Sequence, residues 1–366
     1  MTSHIYQGDA LAVLRTLPAE SVHCVVTSPP YWGLRDYGVA GQYGLEERVD
    51  CLGWATGRPC GSCFICRLVA VFREVRRVLR ADGTCWVNMG DSYAASSTSN
   101  HARGKNTRAE NPPRVRPSGC LKPKDLVGQP WRLALALQAD GWFLRSDIIW
   151  HKPNPMPSNV KDRPTVAHEY LFLFSRSPKY FWDHDSMQED AAASSLSRWS
   201  QDVESQKGST RQPGKTNGPM KAVGGPRATK RRTIRPGIDS RGGGQGGGEM
   251  QYPVYTRNRR SVWTIATNSI PQAHFATMPP ALVEPCLKAG CPHGGMVLDP
   301  FFGSGTTGLV ARRLGREFVG IELNPKDCRM ARKRIEKDTG LLGPVGIVEA
   351  STAPCTGLVP AAQVGA

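Results

Sequence analysis

The run from Val297 to Asn324, VLDPFFGSGTTGLVARRLGREFVGIELN, limits the fold of this chain more than any other stretch. Apolar Met296–Leu298 predicts a buried strand that ends at Asp299. Gly303-Ser304-Gly305 predicts a tight turn, Thr307–Leu314 a helix, and Phe318–Ile321 a second strand ending in Glu322. Strand, glycine-rich turn, helix and strand make a unit that grips a nucleoside cofactor. The glycines let the backbone approach the ligand, and an acid roughly 20 residues on accepts the ribose hydroxyls. A Gly-x-Gly by itself also fits a purely structural turn. The flanking strands and the terminal acid favour the ligand.

Far upstream, apolar Val22–Val26 and Thr27 lead directly into Ser28-Pro29-Pro30-Tyr31-Trp32. Two prolines at a strand end remove two backbone donors and stiffen the turn. Ser28 and Tyr31 are thereby presented at the carboxyl edge of a sheet, where ligands bind in open α/β folds. Alone, this would be an ordinary proline turn. Beside a cofactor unit it is a candidate catalytic loop.

Together the two motifs resemble those of the S-adenosylmethionine-dependent DNA amino-methyltransferases. Their order, with TSPPY (Thr27–Tyr31) before DPFFGSGTT (Asp299–Thr307), is that of the permuted β class. The resemblance covers about residues 4–100, 125–185 and 261–336. It implies an α/β, Rossmann-like fold with a mostly parallel twisted sheet and an antiparallel edge hairpin. It also implies S-adenosyl-L-methionine as cofactor and double-stranded DNA as substrate. An exocyclic base amine is a weak nucleophile because its lone pair is delocalised into the ring. Acceptors at Ser28 Oγ and the Pro29 carbonyl would hold its hydrogens, with Pro30 stiffening the turn. Tyr31 would stack on the flipped base. The resemblance assigns Glu322 to the ribose, and Asp299 with Phe301, Gly303, Gly305 and Thr306 to the methionine side. Asp9 matches an acid that contacts the adenine amine, and equally suits an N-cap. His274 and Thr277, in HFATMP, match the remaining cofactor motif; for His274 a structural role is the competing reading. Serine in S-P-P-Y leans toward cytosine-N4, with adenine-N6 as the alternative. A catalytically silent nucleic-acid binder, or an enzyme for RNA or protein amides, fits less well. Methylation at ring carbon 5 needs a cysteine nucleophile, usually after proline. Pro285-Cys286 has that form but falls inside a predicted helix, so Cys286 is expected to pack.

Charge adds a nucleic-acid signature. The net charge is +16, and residues 101–124 and 186–260 carry nearly all of it within Gly-, Pro- and Ser-rich sequence. Both are expected to be flexible inserts that meet DNA phosphates, with part of the second segment or its flanks supplying target recognition. The intervening 125–185 completes the catalytic half begun by 1–100, 261–340 forms the cofactor half, and 341–366 is expected to be a disordered tail. The N-terminal MTSHIYQGDALAVL lacks a signal-peptide pattern, and no apolar run reaches membrane-spanning length, so a cytoplasmic protein is expected. In that setting the cysteines are thiols or metal ligands rather than disulfides. Cys51, Cys60, Cys63 and Cys66 are spaced C-x8-C-x2-C-x2-C amid Gly and Pro. That spacing fits a structural zinc, with an iron–sulfur cluster or metal-free thiols as alternatives.

Helices are also predicted at 10–17, 68–79, 126–140, 278–289 and 325–337. Further strands are expected at 4–6, 84–89 and 143–150, with His168–Ser175 paired to Tyr180–Trp182 as an antiparallel hairpin.

Overall fold

The structure is a computed structural model that describes residues 3–34, 38–94, 121–192, 256–267, 278–339 and 344–349. His274, Thr277 and most of both basic segments lie outside these residues.

Short apolar runs bounded by turns become strands because burial on both faces needs continuous hydrophobic sequence. β1 (His4–Gln7), β2 (Val22–Thr27), β3 (Leu79–Met89), β9 (Met296–Asp299) and β10 (Glu317–Glu322) follow this rule. With β4 (Phe143–His151), β5 (His168–Ser175), β8 (Val262–Thr264) and β11 (Gly346–Glu349) they form one sheet. Its order is β11-β1-β10-β9-β2-β3-β5-β4-β8. Neighbours pair in parallel except at β5, which runs antiparallel to both β3 and β4.

Three of the expectations are corrected. Tyr180–Trp182 is not a strand; β5 pairs with β4 instead, in register from Phe143↔Ser175 to His151↔His168. Aromatic Tyr180-Phe181-Trp182 mimics strand composition, but Trp182 stacks on Trp86 at 6.0 Å. The hairpin is also not the sheet edge, since β8 adds outside β4. Finally, 341–366 is not wholly a tail: β11 pairs with β1, Ile347 opposite Ile5. Asp82-Gly83 lies in a bulged stretch of β3, where the register jumps between Val22↔Leu79 and Cys24↔Thr84.

The helices are α1 (Ala10–Thr16), α2 (Phe64–Val78), α3 (Gln129–Ala139), α4 (Pro280–Gly290), α5 (Thr306–Arg313) and α6 (Pro325–Thr339). Apolar residues at helical spacing give α2 a buried stripe that includes Leu68, Val71, Phe72 and Val75. This stripe joins Val13 and Leu14 of α1, Leu133 and Leu137 of α3, and Val25, Val87 and Phe172 of the sheet in one core. On their own side, α5 packs against α4 and α6. Among the described residues no helix is long and apolar enough to cross a membrane.

Met187–Arg259 separates from the remainder as its own contact unit. Within it, β6 (Gln188–Asp190) pairs antiparallel with β7 (Thr256–Asn258), and Arg257 forms an ion pair with Glu189 at 2.9 Å.

Candidate active site

β2 and β9 are adjacent parallel strands, with Val25 opposite Leu298. From β9 the chain crosses through α5 to β10, and from β2 it crosses through α2 to β3, on the opposite side. Such a reversal opens a crevice at the carboxyl ends of the two strands. The Pro-Pro turn sits at the tip of β2 and the glycine-rich turn at the tip of β9, so both motifs face one crevice.

A buried lock joins the tips. Thr27 Oγ1 donates to Asp299 Oδ1 at 2.7 Å, and Thr307 Oγ1 donates to Asp299 Oδ2 at 2.8 Å. The Phe301 amide adds a third donor to Oδ1 at 3.1 Å. Burial pushes the Asp299 carboxyl up to about 6, against the pull of these donors. With both oxygens engaged, Asp299 ties the catalytic strand to the cofactor turn and positions it.

The glycine turn is fixed by its surroundings. Gly305 has φ +77°, and a Cβ there would lie 2.8 Å from Ala331 Cβ on α6. Its missing side chain is what lets α5 begin close against α6. Gly305→Ala is expected to lower stability by ~1–3 kcal/mol, from left-handed backbone plus overpacking. Denaturant unfolding checks this, and an unchanged midpoint would remove the packing argument.

Glu322 closes the turn from the other side. Its Oε2 accepts from the Gly303 amide and its Oε1 from the Asn324 amide, both at 2.8 Å. Burial pushes its carboxyl up to about 7; these two amides oppose the shift, and the Asp327 and Asp299 carboxyls add to it. The group is poised to accept a donor pair from a ligand, which would favour its charged form.

At the β2 tip, the Tyr31 hydroxyl donates to Glu169 Oε2 at 2.8 Å and lies 3.4 Å from Ser28 Oγ. Glu169 is also ion-paired with Lys152, whose ammonium stands 4.5 Å from the centre of the Trp150 ring. Burial, then the Glu169 charge, drives the Tyr31 phenol well above its usual range, so it stays neutral. A Cβ at Gly90 would lie 2.9 Å from Tyr31 Cε2, so only glycine lets the ring rest against β3's end. Past Tyr31, the Trp32 amide donates to Gln129 Oε1 and its indole N–H to the Glu46 carbonyl, both at 2.8 Å.

One cavity unites these parts. Ser28, Pro29, Pro30 and Tyr31 line one end, while Asp299, Phe301, Gly303, Thr306 and Glu322 line the other. Asp9 lines it as well, and it is also the N-cap of α1, accepting from the Ala12 amide at 2.9 Å. Gly305 stands behind the lining as packing. Cys286 is fully buried and donates to the Leu282 carbonyl at 3.2 Å, as expected of a packing residue. The four clustered cysteines are not among the lining residues.

Glu169, Lys152, Asn88 and Tyr43 also line the cavity. In sequence Glu169 is only an acid at the start of an apolar strand whose direction the pattern leaves open. Because β5 is antiparallel, that start lies at the carboxyl edge of its neighbours. Tyr43, 5.7 Å from the Phe301 ring and 3.5 Å from Asp9 Oδ2, comes from an insert with no pattern.

A glycine-turn cofactor unit facing an S-P-P-Y turn across a switch-point crevice defines a nucleoside-cofactor-dependent group-transfer enzyme. A family profile described as DNA methylase matches residues 22–333. The chain belongs to this N6/N4 DNA methylase family and is an S-adenosyl-L-methionine-dependent DNA amino-methyltransferase. It is 44% identical to the type II methyltransferase M.XycI of Xanthomonas campestris pv. cyanopsidis, over 91% of this chain and 88% of that protein. It is 42% identical to M.Cfr9I of Citrobacter freundii, over 92% and 89%. Among solved structures, the PvuII DNA methyltransferase (cytosine-N4-specific) shares the fold, with a TM-score of 0.52 at 18% identity over 96% of this chain and 97% of that one.

Proposed function

We propose that the enzyme methylates the N4 amine of a cytosine flipped out of duplex DNA. The observation that carries this reading is the single cavity shared by Ser28–Tyr31 and the Phe301–Glu322 turn. S-adenosyl-L-methionine would lie with its ribose on Glu322 and its methionine part along Phe301–Thr306, with Asp9 toward the adenine. The base would enter against Tyr31. Ser28 Oγ and the Pro29 carbonyl would accept the amine hydrogens and help localise the nitrogen lone pair. The bound cofactor would supply the methyl group in line with the amine nitrogen, and the amine proton held at Ser28 Oγ would be lost to solvent. Positioning supplies most of the acceleration, and no covalent enzyme intermediate is required.

Lys152 favours cytosine over adenine. Beside its amine, cytosine carries two acceptors, N3 and O2, where adenine carries N1 and a C–H. An ammonium has three donors, and Glu169 engages one of them. The rest suit the acceptor-rich edge of cytosine. DNA from a methylation-free host expressing the enzyme should contain N4-methylcytosine by nucleoside mass spectrometry. N6-methyladenine as the sole product would replace this reading with the adenine one. Lys152→Met is expected to lower kcat/KM by roughly ten- to a hundredfold, the loss of a charge-assisted bond worth ~1.5–3 kcal/mol. We place the phosphate grip in the basic 101–124 and 186–260 segments, with target recognition in or beside the second.

A further inference from the structure

The cysteine cluster is unused by the chemistry above, yet its geometry is that of a metal site. Cys51, Cys60, Cys63 and Cys66 place their four Sγ atoms within 4.8 Å of one another. Cys51 Sγ lies 3.6 Å from Cys66 Sγ, and Cys60 Sγ lies 3.9 Å from it. A tetrahedral site with Zn–S bonds of ~2.3 Å holds its sulfurs ~3.8 Å apart. A cluster of several irons spreads its cysteine sulfurs farther than one such tetrahedron.

The backbone around the sulfurs is arranged for thiolates. The Gly53 and Cys60 amides point at Cys51 Sγ at 3.3 and 3.4 Å, and the Cys63 amide points at Cys60 Sγ at 3.3 Å. Amide donors stabilise charge on metal-bound sulfur. Leu52, between the first ligand and Gly53, has φ +55°. That conformation is costly for a bulky residue and calls for an external tie.

We infer that these four cysteines bind one structural Zn²⁺ that clamps the loop behind the catalytic turn. All four positions are filled by protein, so no coordination site is left for substrate. The clamp reaches the turn by a short path. Phe64 and Ile65, in the ligand-bearing start of α2, donate to the Arg48 and Val49 carbonyls at 3.0 Å each. Arg67, one residue after Cys66, pairs with buried Glu46 at 2.6 Å, and the Glu46 carbonyl receives the Trp32 indole. Asp50, next to Cys51, pairs with Arg132 of α3 at 3.0 Å. Trp32 follows Tyr31 directly, so order in the loop becomes order in the turn that holds the base.

Elemental analysis of the full chain purified under reducing conditions should give about one zinc per chain. Co²⁺ exchanged into the protein should show the intense visible bands of a tetrahedral thiolate site. Cys60→Ser, at the exposed ligand, should lose the metal and that spectrum while the sheet still folds by circular dichroism. Stripping the metal should slow turnover on DNA by roughly tenfold or more, as misplacement of a catalytic group does. Cofactor affinity should fall much less than turnover, because β9 and β10 lie outside the clamp and the loop reaches the cofactor end through Tyr43. Protein without stoichiometric metal and without a cobalt spectrum would overturn the site. Metal binding with turnover indifferent to its removal would overturn the positioning role.

Discussion

Tyr31→Ala is expected to lower turnover on DNA by roughly a hundredfold while leaving cofactor affinity nearly unchanged. Stacking a base on an aromatic ring is worth ~1–3 kcal/mol, which spans about five- to a hundred-and-fifty-fold. The upper part of that range applies because Tyr31 is held on several sides. Gly90 backs its ring, Glu169 fixes its hydroxyl, and the two prolines before it stiffen the chain. The ring is therefore ordered before the base arrives, and little entropy is lost on stacking. Tyr31→Phe keeps the ring and loses the hydroxyl's bond to Glu169, with its longer contacts to Ser28 and Asn88. Its cost should be ~0.5–1.5 kcal/mol, about a tenfold loss at most. Single-turnover methylation assays paired with calorimetric cofactor titration separate the two effects. Wild-type turnover in Tyr31→Ala would remove the ring from the mechanism. An equal loss of turnover and cofactor affinity would point to collapse of the β2 tip.

The cofactor turn and the Pro-Pro turn were legible because each is local. Strand, turn chemistry and terminal acid all lie within one short stretch, and glycine and proline report backbone demands directly. Glu322 and Ser28–Tyr31 emerge from such patterns. Glu169 and Lys152 do not, because their placement depends on strand direction. HEYLFLFS reads the same whether β5 runs up or down the sheet. Only its antiparallel pairing with β3, Met89 opposite Tyr170, brings Glu169 to the catalytic edge. β11 is hidden for a related reason: four residues after a glycine- and proline-bearing stretch form a strand only because β1 offers an unpaired edge. Tyr180–Trp182 failed in the opposite sense. Its composition is that of a strand, but tertiary packing of Trp182 on Trp86 decides its conformation. Asp299 shows the limit of motif transfer. Its position at the cavity follows from sequence, but its engagement by Thr27 and Thr307, the former far away in the chain, requires the folded sheet.

Glu322→Ala should weaken S-adenosyl-L-methionine binding by roughly ten- to a hundredfold, the loss of a charge-assisted hydrogen bond worth ~1.5–3 kcal/mol. A pH signature distinguishes this from a general loosening of the turn. Burial holds the Glu322 carboxyl at about 7 in the free protein, with Asp327 and Asp299 as the facing acids. In the proposed complex the ribose hydroxyls would donate to the carboxylate, so the bound state would favour the ionised form and its pKa would fall on binding. Below about 7 binding must therefore release a proton, and affinity should rise with pH until Glu322 is ionised in the free protein. Stability of the free protein has the opposite sign. Folding raises this carboxyl from 4.5 to about 7, so its contribution to stability is lost as pH rises through that window. Glu322→Gln keeps the shape but cannot ionise. Its affinity should be low and lack the Glu322-dependent rise across that window, leaving the smaller effects of Asp299, whose carboxyl sits at about 6, and of Asp327, whose carboxyl burial also pushes up. Calorimetry in two buffers of different ionisation enthalpy reads the released proton directly. A wild-type affinity that is flat from pH 6 to 8, or a Glu322→Gln variant with the wild-type pH slope, would take the ribose away from Glu322.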